Sequence, residues 1–152
     1  MPLSLLFLVG FWILLRSSRP PQKEVPNNPI NLLHDELNGL LPPQVIPFVV
    51  SQAAFETGDF ISPVFKRNRN FFGMRFPKVR ETTAIKDLNG YAFYDSYNDS
   101  VKDFVLWYNY VGMPTTYTLS DYIRELDQRQ YFEADYKKYL AGTKSKLEKY
   151  YG

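Results

Sequence analysis

Glu56 is the side chain of this sequence best placed to do chemistry. It closes the apolar run Ser51-Gln-Ala-Ala-Phe-Glu-Thr-Gly58, and Asn68-Arg-Asn-Phe-Phe-Gly-Met74 follows close behind. Burial among apolar side chains disfavours a carboxylate's charged form and raises its pKa, so such a Glu holds a proton near neutral pH and can pass it to a leaving group. The plain alternative is an ordinary helix-end Glu. A second carboxylate, if the chemistry needs one, has candidates in Glu81, Asp87 and Asp95; Glu81 is favoured, Asp95 reads better as a helix cap, and a solvated strand position beside Arg80 is the competing reading of Glu81. His34 is the sole histidine and the chain has no cysteine, so no metal-ligating set is present, no metal or other cofactor is expected, and His34 reads as a surface or interhelix residue.

The elements that must position Glu56 read as mostly helical. Asn31 to Leu37 makes a short helix stopped by Gly39, and Pro42-Pro43 forces a fresh start before the apolar stretch Val45 to Phe55. Pro47 then belongs in the first turn, where its missing N–H is harmless, and Gly58 is a C-cap. Thr82 to Ile85 and Tyr91 to Tyr94 flank Asp87-Leu-Asn-Gly90, a strong hairpin signal. Val101, Phe104, Val105 and Tyr108 fall at helical spacing, so Asn98 to Tyr110 is expected as an amphipathic helix. Ser120 can cap a helix carrying Ile123 and Leu126, and Tyr136, Tyr139, Leu140, Leu147 and Tyr150 share one face of the last helix. The fold class is α+β, mainly α: a helical domain with a small β-hairpin lobe, preceded by an N-terminal hydrophobic helix.

Three regions are expected. Residues 1–16 contain the uninterrupted apolar run Leu3 to Leu15, shorter than the roughly 20 residues that usually cross a bilayer, with neither a basic start nor a small-residue cleavage site. It reads as an uncleaved transmembrane or signal-anchor segment, although Arg16, Arg19 and Lys23 behind it would tend to keep the rest of the chain on the cytoplasmic side. Residues 17–29 carry four prolines and no aromatic residue, the composition of an extended, poorly packed linker. Residues 30–152 form the globular domain. The net charge of +2 is too small to imply a polyanionic partner, and the lack of cysteine excludes disulfides, thiolate metal sites and a lipoprotein-type anchor. Lys66 to Arg80 holds six cations and no acid. It suits contact with peptide carboxylates or anionic lipid head groups, or is a solvated loop; a nucleic-acid partner is not expected.

The order of motifs is informative. A helix ending in Gln-Ala-Ala-Phe-Glu-Thr-Gly, a loop with Asn-Phe-Phe-Gly-Met, a hairpin, Tyr91-Ala-Phe-Tyr-Asp-Ser96 leading into Ser100-Val-Lys-Asp-Phe, and Tyr131-Phe-Glu-Ala-Asp-Tyr136 together resemble the glucosaminidase domain of bacterial and phage peptidoglycan hydrolases, from about Leu41 to Tyr151. That family belongs to the lysozyme-like superfamily. The resemblance implies that Glu56 protonates the bridging oxygen of a β-1,4 glycosidic bond in the glycan strand, with Tyr131 beside it. It implies a cleft floor of Asn70, Phe71, Phe72 and Gly73, with Met74, Tyr94 and Tyr136 completing the substrate-binding set and Tyr136 able to take the place of Tyr131. Asp59-Phe-Ile stands where the family has a Gly-Trp-Gly-like sequence, so Phe60 must fill an aromatic slot.

The function these readings imply is that of a membrane-anchored hydrolase of peptidoglycan glycan strands, N-acetylglucosaminidase or muramidase-like. Lytic transglycosylase chemistry is one alternative, and an inactive glycan-binding or structural envelope protein is another. The implied location is the cell envelope facing the peptidoglycan, or the membrane of a virus particle. The implied partners are glycan strands, the lipid bilayer through residues 3–15, and other virion or envelope proteins.

Overall fold

A computed structural model describes residues 20–152. Within them run α1 (Pro29–Leu37), α2 (Ile46–Glu56), α3 (Pro63–Asn68), β1 (Lys86–Leu88), β2 (Tyr91–Phe93), α4 (Tyr97–Tyr110), α5 (Leu119–Gln128) and α6 (Tyr136–Tyr151). The mainly helical architecture with one small hairpin matches the sequence reading. The apolar run at residues 3–15 lies outside the described residues, and among the described ones no helix is long and apolar enough to cross a membrane.

Helix α2 is the axis of the core. Val49, Val50, Ala53 and Ala54 are fully buried, and so are the polar Ser51 and Gln52. A helix buried on every side has no solvated stripe, and the Ser51 hydroxyl is accommodated by donating to the Pro47 carbonyl at 2.7 Å. The broadest helix pairing is between α2 and α6. Gly142 makes it close: a Cβ there would lie 2.1 Å from the Phe55 ring.

The chain leaves α2 through an unusual turn. Gly58, Asp59 and Phe60 all have φ between 57° and 66°, a conformation that costs a non-glycine residue about 1–2 kcal/mol. Tertiary contacts hold it. The Asp59 carboxylate accepts from Lys146 Nζ at 2.7 Å and the Tyr150 hydroxyl at 2.8 Å, with Lys149 Nζ at 3.1 Å, all on α6. Burial works to raise the Asp59 pKa, but the bonds from Lys146, Tyr150 and Lys149 outweigh it and hold the carboxyl down at about 2. Phe60 buries its ring against Phe65, Phe71 and Tyr150.

The remaining elements follow local signals with small shifts. Asn89 and Gly90, at φ 55° and 83°, make the two-residue hairpin turn, and the first strand lies nearer to it than Thr82 to Ile85 suggested. Ser96, not Asp95, caps α4 through its hydroxyl, while Asp95 pairs with Lys23. Thr118, not Ser120, caps α5. His34 bridges helices as expected, its Nε2 lying 2.5 Å from the Tyr151 hydroxyl. The described part of the linker is fastened to the domain: Gln22 N–H donates to Asn98 Oδ1 at 2.7 Å, Tyr97 N–H donates to the Gln22 carbonyl at 2.9 Å, and Arg69 Nε donates to the Lys23 carbonyl at 2.8 Å. The Asn98 side chain and the Tyr97 N–H at the start of α4, with a long arginine, give it partners.

Candidate active site

A cleft of about 630 Å³ opens beside the end of α2, bordered by the 70–77 loop, Trp107 of α4, the 129–134 loop and Tyr139 of α6. This volume is within the usual range for ligand sites. Aromatic rings build its walls. Phe72 stacks on Phe104 at 4.1 Å, Tyr131 meets Trp107 edge-on at 4.8 Å, and Phe132 stacks on Tyr139 at 3.8 Å. Flat apolar faces with polar tips suit the faces of sugar rings.

Glu56 is the half-buried carboxylate of this cleft. Its Oε1 accepts from the Tyr139 hydroxyl at 2.5 Å. Burial raises the Glu56 pKa, and the Tyr139 bond, which favours the ionised form, opposes it without cancelling it. The Tyr139 hydroxyl is itself pushed far up, first by burial and then by the Glu56 charge, so it remains a donor. Tyr139→Phe should therefore let the Glu56 pKa climb further. Since a general acid works protonated, the basic limb of the pH profile of kcat/KM shifts to higher pH in this variant; a shift to lower pH would contradict the assignment.

Tyr131 lies in the cleft wall but bonds elsewhere. Its hydroxyl donates to the Phe72 carbonyl at 2.8 Å. Burial, then the nearby Glu56 charge, pushes its pKa well up. Gln52 sits one turn before Glu56 and accepts from the Tyr122 hydroxyl at 2.5 Å. Tyr131 thus steadies the loop under Glu56. Asn70 completes that loop: Nδ2 donates to the Met74 and Ala92 carbonyls at 2.9 and 3.1 Å, and Oδ1 accepts from the Phe72 and Met74 N–H groups at 3.2 and 3.1 Å.

Gly73 is needed on two counts. Its φ is +61°, and a Cβ there would stand 3.3 Å from Glu56 Oε2. Gly73→Ala should cost about 1–2 kcal/mol in stability from the backbone alone and depress turnover further by crowding the carboxylate. Parallel melting curves and initial rates check this; a variant losing stability but no activity would place the Glu56 carboxylate away from the reacting centre.

Of the residues singled out from sequence, Glu56, Asn70, Phe72, Gly73, Met74 and Tyr131 line the cleft together. The others lie outside its lining. Phe71 is buried between Phe60, Phe65 and Tyr97. Tyr94 is buried and donates to Asp103 at 2.6 Å, and Tyr136 turns its hydroxyl toward the Ser120 carbonyl at 3.4 Å. Glu81 is exposed, its backbone carbonyl accepting from Arg80. Sequence reasoning missed two residues. Tyr139 was grouped only with the apolar face of the last helix, and Glu133, which with Glu56 makes up the acids lining the cleft among the described residues, was passed over inside the Tyr131–Tyr136 motif.

Neither a family model nor a curated protein matches the sequence. Solved structures are similar in fold. A chain of a type VI secretion system effector–immunity complex from Pseudomonas protegens superimposes with a TM-score of 0.61 at 16% identity, over 78% of this chain and 85% of that chain. The catalytic domain of the autolysin Auto from Listeria monocytogenes does so with a TM-score of 0.55 at 17% identity, over 99% of this chain and 97% of that chain. At these identities the likeness is one of fold: this chain shares the fold of that autolysin catalytic domain and of that effector–immunity chain.

Proposed function

We propose that this chain cleaves β-1,4 glycosidic bonds in the glycan strands of peptidoglycan, with Glu56 as general acid. The observation that carries the reading is the Glu56 carboxylate itself: half-buried in an aromatic cleft, its pKa raised by burial, and fixed by the Tyr139 hydroxyl at 2.5 Å. The similarity of fold to an autolysin catalytic domain supports the same reading.

In this mechanism protonated Glu56 donates to the bridging oxygen as the bond from that oxygen to the anomeric carbon breaks. The leaving strand departs with the proton and positive charge gathers on the ring. A nucleophilic hydroxyl then adds at the anomeric carbon, and the proton it sheds returns to the Glu56 carboxylate. Tyr131, through the Phe72 carbonyl, and Asn70 keep the loop floor in register, while Phe72, Trp107 and Phe132 offer faces for sugars. Glu133 is exposed in the cleft and Glu81 lies outside its lining. That arrangement favours a mechanism in which one buried acid works and the substrate's own N-acetyl group steadies the cationic centre.

Residues 3–15 are proposed to hold the enzyme in a membrane on the side facing the peptidoglycan, in a cell envelope or a virus particle. The test is product analysis after incubating the full chain with purified sacculi. New reducing ends identify a hydrolase and the sugar cleaved. Fragments lighter by one water, carrying a 1,6-anhydro end, mean that the muramic 6-hydroxyl served as nucleophile, as in lytic transglycosylases. Sacculi returned intact would refute the proposal.

A further inference from the structure

Three guanidinium groups line the cleft: Arg75, Arg80 and Arg129. Two are already committed. Arg80 makes a two-pronged bond to Asp103, with 2.7 and 3.2 Å contacts, and Arg129 is paired with Glu125. Arg75 is exposed and, among the described residues, has no carboxylate within ion-pairing distance. Its guanidinium carbon stands 6.0 Å from the centre of the half-buried Tyr91 ring, which also lines the cleft. The adjoining Phe76 is 39% exposed and Pro77 follows it along the same rim. A cation braced by an aromatic face, beside an exposed ring and opening onto a sugar-sized trough, is placed to meet an anion carried by the ligand.

Resting on the glycan-strand reading, we infer that Arg75 determines specificity by binding a carboxylate of the peptide stem that peptidoglycan carries and neutral N-acetylglucosamine polymers lack. Hydroxyl and acetamido groups would engage only part of a guanidinium's fork, whereas a carboxylate accepts two parallel N–H bonds. Glu133, the exposed acid of the same cleft, repels carboxylates and so turns a strand to present its stems to the Arg75 side. The paired state of Arg80 and Arg129 leaves Arg75 as the receiving charge.

The test measures binding, so it does not depend on catalysis. The full chain carrying Glu56→Gln, alone and combined with Arg75→Ala or Arg75→Lys, is sedimented with sacculi and with sacculi whose carboxylates have been chemically converted to amides. The expected result is roughly tenfold tighter binding to untreated sacculi for the Glu56→Gln chain. Most of that preference disappears with Arg75→Ala and part of it survives with Arg75→Lys. An exposed side chain is being changed at position 75, so both double variants are expected to melt like the Glu56→Gln chain. Equal preference with and without Arg75, or no preference at all, overturns the inference. So does Arg75-dependent binding to anionic phospholipid vesicles without discrimination between the two kinds of sacculi, which would assign the cation to a lipid surface. Failure of the glycan reading is separate, because it shows as the absence of strand cleavage by the unaltered chain.

Discussion

Glu56→Gln lowers kcat on purified peptidoglycan by about 10²- to 10⁴-fold, the range that a positioned general acid supplies. The amide keeps the shape of the side chain and can still accept from Tyr139, but it has no proton to give. Stability should move the other way. The folded-state pKa of Glu56 lies above its ordinary 4.5, so the acid's favourable contribution to stability is complete below that ordinary value and is lost as pH rises through the folded value. Above that folded value the ionised carboxylate bears a desolvation cost that glutamine does not. The variant's melting temperature should therefore equal or exceed that of the unaltered chain near neutrality, and the difference should close toward about pH 4. Rates and thermal melts over this pH range check both halves. An active variant, or one whose fold is weakened at neutral pH, would sink the assignment.

The second large effect is structural. Asp103, fully buried on α4, takes both prongs of Arg80 and the Tyr94 hydroxyl, so three distant segments meet at one carboxylate. Burial and then the Asp103 charge push the Tyr94 hydroxyl far up, keeping it a donor. Asp103→Ala strands the Arg80 side chain, itself only 6% exposed. Removing one partner of such a pair costs about 3–5 kcal/mol, or roughly 10–20 °C in melting temperature for a domain of this size. Changing the pair together, as Arg80→Met with Asp103→Leu, should recover much of the loss, since the penalty arises from the uncompensated charge. A melting temperature within a few degrees of the unaltered value for Asp103→Ala alone would show that Arg80 finds another partner or reaches water.

The pattern of residues made some of this visible in advance and left the rest obscure for identifiable reasons. Glu56 at the end of α2, Pro47 in its first turn, the Asn89-Gly90 turn and the core face of Val101, Phe104, Val105 and Tyr108 are set by local rules, and each stands where those rules put it. The partner of Glu56 is set by packing. Tyr139 is 83 residues away, and nothing in a helical stripe of Tyr136, Tyr139 and Tyr150 says which hydroxyl turns toward the carboxylate. That choice follows from how closely α6 approaches α2, which depends on the missing side chain of Gly142 against Phe55. Tyr94 lies away from the cleft for a similar reason: its motif is shared with residues near the cleft, but its hydroxyl answers to Asp103 in the interior. Adjacent capping residues compete so evenly that Asp95 gives way to Ser96 and Ser120 to Thr118.

The fastening of Gln22 and Lys23 onto α4 and Arg69 shortens the leash. With those two residues bound to the body, only residues 16–21 are left to run from the apolar segment, a reach of about 19 Å at full polyproline extension. If residues 3–15 are seated in a bilayer, the cleft is confined to a thin shell next to the lipid. If the chain also cleaves glycan strands as proposed, the strands within its range are the innermost ones, and its depth of action is set by a few peptide units.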